Sequence, residues 1–193
     1  MGASFNHDYY DERFNPLGPL PKAESKVSKE TTPGLYAQYT YKLGDKLTVM
    51  PGVRWDHSDR YGSFVTPRLH IKYSPSKIVT LRTSIGKGYR SPHALAENVT
   101  LLASGRDIII DSDLKQEEAW NMGASLGFNI PLFGKNLELN AEYYYTDFKH
   151  QMIMNFDGAK GEHTLSFENL DGKSYSHTFQ VDATYSLFSG MSA

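Results

Sequence analysis

LRTSIGKGYRSP, residues 81–92, alternates from its first residue to the Gly-aromatic-Arg-Ser-Pro break that ends it. A side-chain period of two belongs to a β-strand and to no helix. Counted from Val79, residues Val79, Leu81 and Ile85 point one way with Thr83 between them, while Thr80, Arg82, Ser84 and Gly86 point the other. One face is oily and the other is wet.

The same alternation runs outward in both directions. Before the break, Leu35, Ala37, Tyr39, Tyr41 and Leu43 oppose Tyr36, Gln38, Thr40 and Lys42 as far as a tight turn at Gly44 and Asp45. Leu47, Val49, Val53 and Trp55 then oppose Thr48, Met50, Arg54 and Asp56, and residues 57–62 read as a polar loop. Val65, Leu69, Ile71 and Tyr73 oppose Thr66, Arg68, His70 and Lys72. Residues 3–13 read as part of a strand, and residues 15–33, with their prolines and polar content, as an exposed connection.

Beyond Pro92 a long connection runs to about Lys115, with a helical turn expected at ALAEN, an apolar Ile108 to Ile110, and an acidic Asp111 to Asp113. Trp120, Met122, Ala124, Leu126, Phe128 and Ile130 then oppose Asn121, Gly123, Ser125, Gly127 and Asn129. Leu137, Leu139, Ala141, Tyr143 and Tyr145 oppose Glu138, Asn140, Glu142 and Tyr144. A loop is expected at 157–162. The last strand sets Phe179, Val181, Ala183, Tyr185 and Leu187 against Thr178, Gln180, Asp182, Thr184 and Ser186, before a turn at 189–191. The fold expected is all-β, an antiparallel up-and-down meander of about eight strands.

Composition narrows the function. A net charge of −2 with no local basic patch speaks against a nucleic-acid partner. The absence of cysteine excludes a disulfide scaffold and a cysteine nucleophile. No apolar run is long enough for a membrane helix, but a membrane barrel needs none: its apolar residues come at every second position, and mean hydropathy stays negative, here −0.49.

Sidedness separates a soluble barrel, oily inside, from a membrane barrel, oily outside. The wet face carries Arg54, Arg68, His70, Arg82, Glu138, Glu142 and Asp182 along its whole length, as a water-filled or plugged lumen requires. Trp55, Tyr73, Trp120 and Tyr185 fall near strand ends, where aromatic girdles sit. The connections LGDK, SPSK, LFGK and FSGM are short, while 15–33, 57–62, 91–115 and 157–162 are mostly longer. Short turns at one end and long loops at the other favour part of a transmembrane β-barrel over a soluble lipocalin-like ligand-binding barrel.

SIGKGYRSPHALAEN followed by DSDLKQEEAWNMGASL resembles the barrel of TonB-dependent outer-membrane receptors, especially the Bacteroidetes branch similar to cobalamin and catecholate-siderophore receptors. Gly86, Gly88, Tyr89, Arg90 and Pro92 match the family's strand-ending element, and Leu114, Glu117 and Asn121 match the start of its next strand. The stretch from Asn169 to Tyr185 also resembles a family strand entry, with His177 and Thr178 in place of the usual small glycine. The resemblance implies a barrel of about twenty-two strands around a plug domain, with TonB as partner and transport of an iron-siderophore, cobalamin or haem. Plug and TonB box have no counterpart in residues 1–193, so the chain is expected to be a partial barrel segment that self-associates when isolated. A small structural outer-membrane barrel is the remaining alternative.

Site expectations follow from these readings. The lumen or plug-facing residues are Arg54, Arg68, His70, Arg82, Gly86, Glu138, Glu142 and Asp182, with Gly86 and Gly88 thinning the wall where a plug or ligand approaches. Arg90 is set to pair with a carboxylate of the plug or of a neighbouring loop. GKGYRS lacks the following helix of a phosphate loop. His57, His93, His150 and His163 lack metal-ligand spacing, and Asp107, Asp111 and Asp113 lack a calcium loop, so neither metal nor cofactor is expected. No catalytic set can be placed, and the protein is read as a non-enzyme. Outer-membrane lipid and a small-molecule or metal-chelate ligand complete the expected partners.

Overall fold

The computed structural model describes residues 1–14, 24–98, 100, 106–156, 163–188 and 191–192. Its frame is one antiparallel sheet. The strands are β1 (Gly2–Phe14), β2 (Glu24–Gln38), β3 (Tyr41–Leu43), β4 (Leu47–Ser58), β5 (Gly62–Tyr73), β6 (Val79–Arg90), β8 (Glu117–Leu132), β9 (Lys135–Lys149), β12 (Ser174–Phe188) and β13 (Met191–Ser192). They lie in the order β1-β2-β4-β5-β6-β8-β9-β12-β13, with β3 beside β4. The order is the expected up-and-down meander: short reverse turns join β4 to β5, β5 to β6 and β8 to β9, while longer connections join β1 to β2, β6 to β8 and β9 to β12. Gly44, Gly62 and Gly134 turn the chain at φ values of 56°, 80° and 76°, in the left-handed region that glycine adopts without strain.

Three expectations are corrected. Residues 24–33 are not connection but strand, paired along their length with β1 from Pro33↔Phe5 to Glu24↔Phe14. This upper half of β2 carries polar residues on both faces, so it shows no hydrophobic alternation. Residues 57–62 are not a long loop either, because β4 runs to Ser58 and β5 starts at Gly62. The alternation of 35–43 is broken at Tyr39 and Thr40. Across from that break Pro51 offers no N–H, and Tyr39 N donates to Pro51 O at 3.0 Å. The expected connections at 15–23 and 157–162, and most of the turn at 189–191, lie outside the described residues.

A second sheet was not expected. β7 (Asp107–Ile110), β10 (Met152–Phe156) and β11 (Thr164–Asn169) form it, with β11 central, antiparallel to β10 and parallel to β7. Here sits the one buried hydrophobic cluster among the described residues: Leu165, Phe167 and Ala94, packed against Ile108, Ile110 and Met152. Ala94 belongs to α1 (Ala94–Glu97), the helical turn expected at ALAEN.

The main sheet has no such core. Its apolar face is bare, with Leu35, Val53, Phe179 and Val181 49–72% exposed. The side chains it buries are polar: Glu30, Thr32, Asp56, Ser58, Thr66 and Ser125. The oily side faces out and the wet side in, as expected for a membrane barrel wall, and the soluble barrel with an apolar interior is not the molecule seen. On β9 the apolar stretch from Leu137 to Tyr145 runs about 27 Å at about 3.4 Å per residue, or about 20 Å across a bilayer at a tilt of about 40°. Asp147 and Lys149 follow it, and the Lys87–Glu118 pair at 2.8 Å lies on the same face.

Candidate functional site: the polar face and its upper cavity

The ladders place the expected lumen residues in cross-strand rows. Met50, His70, Ser84, Gly123 and Tyr144 stand opposite one another on β4, β5, β6, β8 and β9. One row lower come Thr48, Lys72, Arg82, Ser125, Glu142 and Gln180. Arg68 is level with Gly52 and Gly86, Glu138 with Asn129 and Thr184, and Asp182 with Asn140. Arg54 is level with Tyr36 and Thr66, two residues before Arg68, so all eight lumen candidates share one face. A cavity of about 520 Å³ opens on it, lined by His70, Lys72, Arg82, Ser84, Glu142 and Tyr144 among others, which makes the polar face the concave one.

Small residues shape this surface. A Cβ on Gly52 would lie 3.0 Å from Arg68 Cγ, and one on Gly86 3.4 Å from Arg68 Cβ, so the Arg68 stem lies between two glycines. Gly88 has open space around it. The ring of Tyr144 covers Gly123, an arrangement that restores packing where a strand lacks a side chain. Its hydroxyl donates to Glu142 Oε2 at 3.1 Å, Asn140 Nδ2 donates to Glu142 Oε1 at 2.7 Å, and Asn140 Oδ1 accepts from Ser125 Oγ at 3.1 Å.

The two halves of the sequence motif meet across one ladder. Gly86 is opposite Asn121, Gly88 opposite Ala119, and Arg90 opposite Glu117. Arg90 Nε binds Glu117 Oε2, and its Nη1 reaches Glu97 Oε2 at 3.3 Å. The carboxylate paired with Arg90 is thus in the adjoining strand and the following helical turn. Glu117 Oε1 accepts from Met152 N at 2.7 Å, which ties the small sheet to the large one. Asn169 completes the tie: its Nδ2 donates to His150 O at 2.6 Å and its Oδ1 accepts from Lys115 N at 2.7 Å.

Pairing between β5 and β6 ends at Arg68↔Gly86, next to Pro67. Above that point the ring of Tyr89 packs on Phe64 with centroids 3.8 Å apart. There a second cavity, of about 530 Å³, is lined by Ser4, Asp8, Glu30, Arg54, Arg90 and Ser91 among others. Arg54 is engaged on its wall, its Nε 2.7 Å from Asp56 Oδ2 and its Nη2 2.6 Å from Asp56 Oδ1, with Ser4 Oγ at 2.7 Å. Asp56 is fully buried, and the bidentate guanidinium offsets the cost of that burial.

Sequence reasoning missed Glu30, Asp56, Ser58 and Ser91 as members of this site. Glu30 is an ordinary polar residue in mid-strand and Ser58 one at a strand end, and nothing local announces that they will be buried together. Tyr61, in the turn after Ser58, has a buried hydroxyl without a hydrogen-bond partner. Burial pushes its phenol up, an effect the Arg60 cation opposes and the Glu30 charge reinforces.

An antiparallel meander with a bare apolar face, a polar concave face and a small loop sheet above it is the wall of an outer-membrane receptor barrel. The whole chain, residues 1–193, matches the family described as TonB dependent receptor-like, beta-barrel, and it belongs to that family. It is 29% identical over 89 residues to the ferric enterobactin receptor of Pseudomonas aeruginosa, a match covering 46% of this chain and 12% of that protein. It is 28% identical over 115 residues to the ferrienterobactin receptor of Escherichia coli, covering 54% and 15%. The chain thus spans less than a fifth of the length of these relatives. Among solved structures, the siderophore receptor PirA of Pseudomonas aeruginosa superposes with a TM-score of 0.67 at 18% identity over 85% of this chain and 33% of that one. A variant ferric enterobactin receptor of the same organism in complex with enterobactin gives 0.67 at 19% identity, over 95% and 30%. Both show the same fold, and the chain lies in the outer membrane.

Proposed function

We propose that this chain is a barrel segment of a receptor that takes up a scarce iron chelate, with a plug domain seated on the polar face and TonB supplying the energy. The observation that carries the reading is the eight-residue set from Arg54 to Asp182, mostly ionisable, on the concave face of a sheet whose other face is apolar. A wall of this kind holds a partner by many weak, water-exchangeable contacts, each of which can be broken without a large barrier. The relatives named for ferric enterobactin favour a siderophore over cobalamin or haem as cargo.

The test is uptake. The full-length receptor carrying this segment, expressed in a strain stripped of its own siderophore receptors, should import radiolabelled ferric enterobactin or a related chelate only when TonB is present. Import of cobalamin or haem with no iron chelate taken up would overturn the siderophore reading. Accumulation independent of TonB would overturn active transport.

A further inference from the structure

Charge on the concave face is segregated by strand. One cross-strand row runs from Lys42 through Thr48, Lys72, Arg82 and Ser125 to Glu142. Its β3 to β6 end holds three cations and no carboxylate. Above Lys72 on the same face of β5 stand His70 and Arg68, level with the neutral Ser84 and Gly86, so the basic strip continues upward. The acids Glu138, Glu142 and Asp182 lie on β9 and β12, beyond the neutral Gly123, Ser125 and Gly127 of β8.

Two of the cations are set against each other. Lys72 is directly opposite Arg82 in the β5–β6 ladder, both are exposed, and like charges in that position repel. Their neighbours along the row, Thr48 and Ser125, carry no charge to offset the repulsion. Lys42, Arg68, Lys72 and Arg82 form no ion pair with any described residue. The acid of the row, Glu142, is three strands from Lys72, about 14 Å at about 4.8 Å per strand, and is already held by Tyr144 and Asn140. Lys72 and Arg82 instead face the cavity of about 520 Å³, where an anion placed between them turns repulsion into attraction.

The level of the pair selects the occupant. Lys72 is the last residue but one of β5 and Arg82 the fourth of β6, beside the short turn that joins these strands. From Thr66, opposite Arg54 at the upper cavity, down to Lys72 is about 20 Å at about 3.4 Å per residue. A cargo arriving at the loop end meets this pair last, so its resting partner is the body that fills the lumen.

We propose that Lys72 and Arg82 are the docking point for an acidic side chain of the plug domain, one aspartate or glutamate carboxylate shared by the ammonium and the guanidinium. This rests on the reading that a plug is seated on the polar face, and it adds the sign of the charge that the plug presents to β5 and β6.

Carbodiimide coupling of the ligand-free, full-length receptor tests it. The reagent activates a carboxylate, an amine in contact displaces the activated oxygen as a urea, and an amide to Nζ remains. Mass spectrometry should find a Lys72 peptide bridged to an aspartate- or glutamate-containing peptide of the plug. Lys72→Arg keeps the charge and should remove the bridge without moving the thermal midpoint. Arg82→Gln should lower that midpoint by about 2 °C, because the carboxylate loses a charged partner. A bridge from Lys72 to a carboxylate of the barrel wall refutes the docking point, as does the absence of a bridge together with a raised midpoint in Arg82→Gln, the sign of bare repulsion relieved. A raised midpoint with about tenfold weaker binding of ferric enterobactin to Arg82→Gln assigns the anion to the cargo and refutes the plug as its source. TonB-dependent uptake, measured separately, decides the transport reading in each case.

Discussion

A side-chain carbon on Gly34 would land on Asp56 Oδ1 and come within 2.9 Å of both Arg54 Nη2 and Ser4 Oγ. Asp56 is fully buried and cannot retreat into water, so the clash has to break the Arg54 pair or push β1 from β2. Gly34→Ala should therefore cost about 3–5 kcal/mol, the range for a buried ion pair broken on one side, read as a lower denaturation midpoint of the refolded receptor. Gly88→Ala, at a position with open space, should leave the midpoint within about 0.5 kcal/mol of wild type. Gly34 and Gly88 both lie in extended strands, β2 and β6. Nothing along the strand shows that Gly34 is pressed by Arg54, twenty residues on, and by Ser4, thirty residues back, while Gly88 is free.

At the scale of elements, the small sheet stands apart from the main one. Main-sheet strands are joined by long ladders, whereas β7 and β11 meet in a parallel pair from Asp107↔Thr164 to Ile110↔Phe167. Two loops far apart in the chain are thereby closed over one apolar cluster. Phe167→Ala should remove about 3–5 kcal/mol from the opening free energy of this sheet. Amide exchange should accelerate in β7, β10 and β11 while protection in β6, β8 and β9 stays unchanged, and loss of protection throughout the large sheet would show that the two sheets unfold as one. Ile108 to Ile110 was visible as an apolar run, but three residues carry too little pattern to reveal a parallel partner.

At the scale of the whole molecule, solubility and insertion depend on which face meets lipid. Val181, 61% exposed, lies opposite Ala141, which lies opposite Leu126, in the middle of the apolar band. Its neighbour Asp182 points into the concave side. Val181→Arg should destabilise the folded receptor in a bilayer by about 2–4 kcal/mol, and Asp182→Asn by far less, measured by reversible unfolding in lipid vesicles. Equal costs at the two positions would contradict the sidedness.

The period of two, repeated from Leu35 to Leu187, was enough to determine an all-β meander and which residues share a face, because side-chain direction in a strand is a local property. The motif from Gly86 to Asn121 was enough to identify the family. Only the tertiary structure decided that Arg90 meets Glu117 across a ladder, that Asn169 binds Lys115 and His150, that residues 24–33 continue a strand paired with β1, and that Glu30 is buried against the hydroxyls of Ser58 and Ser91. Those facts depend on register between distant strands and on what closes over a side chain, and neither is encoded in the spacing of residues along one strand.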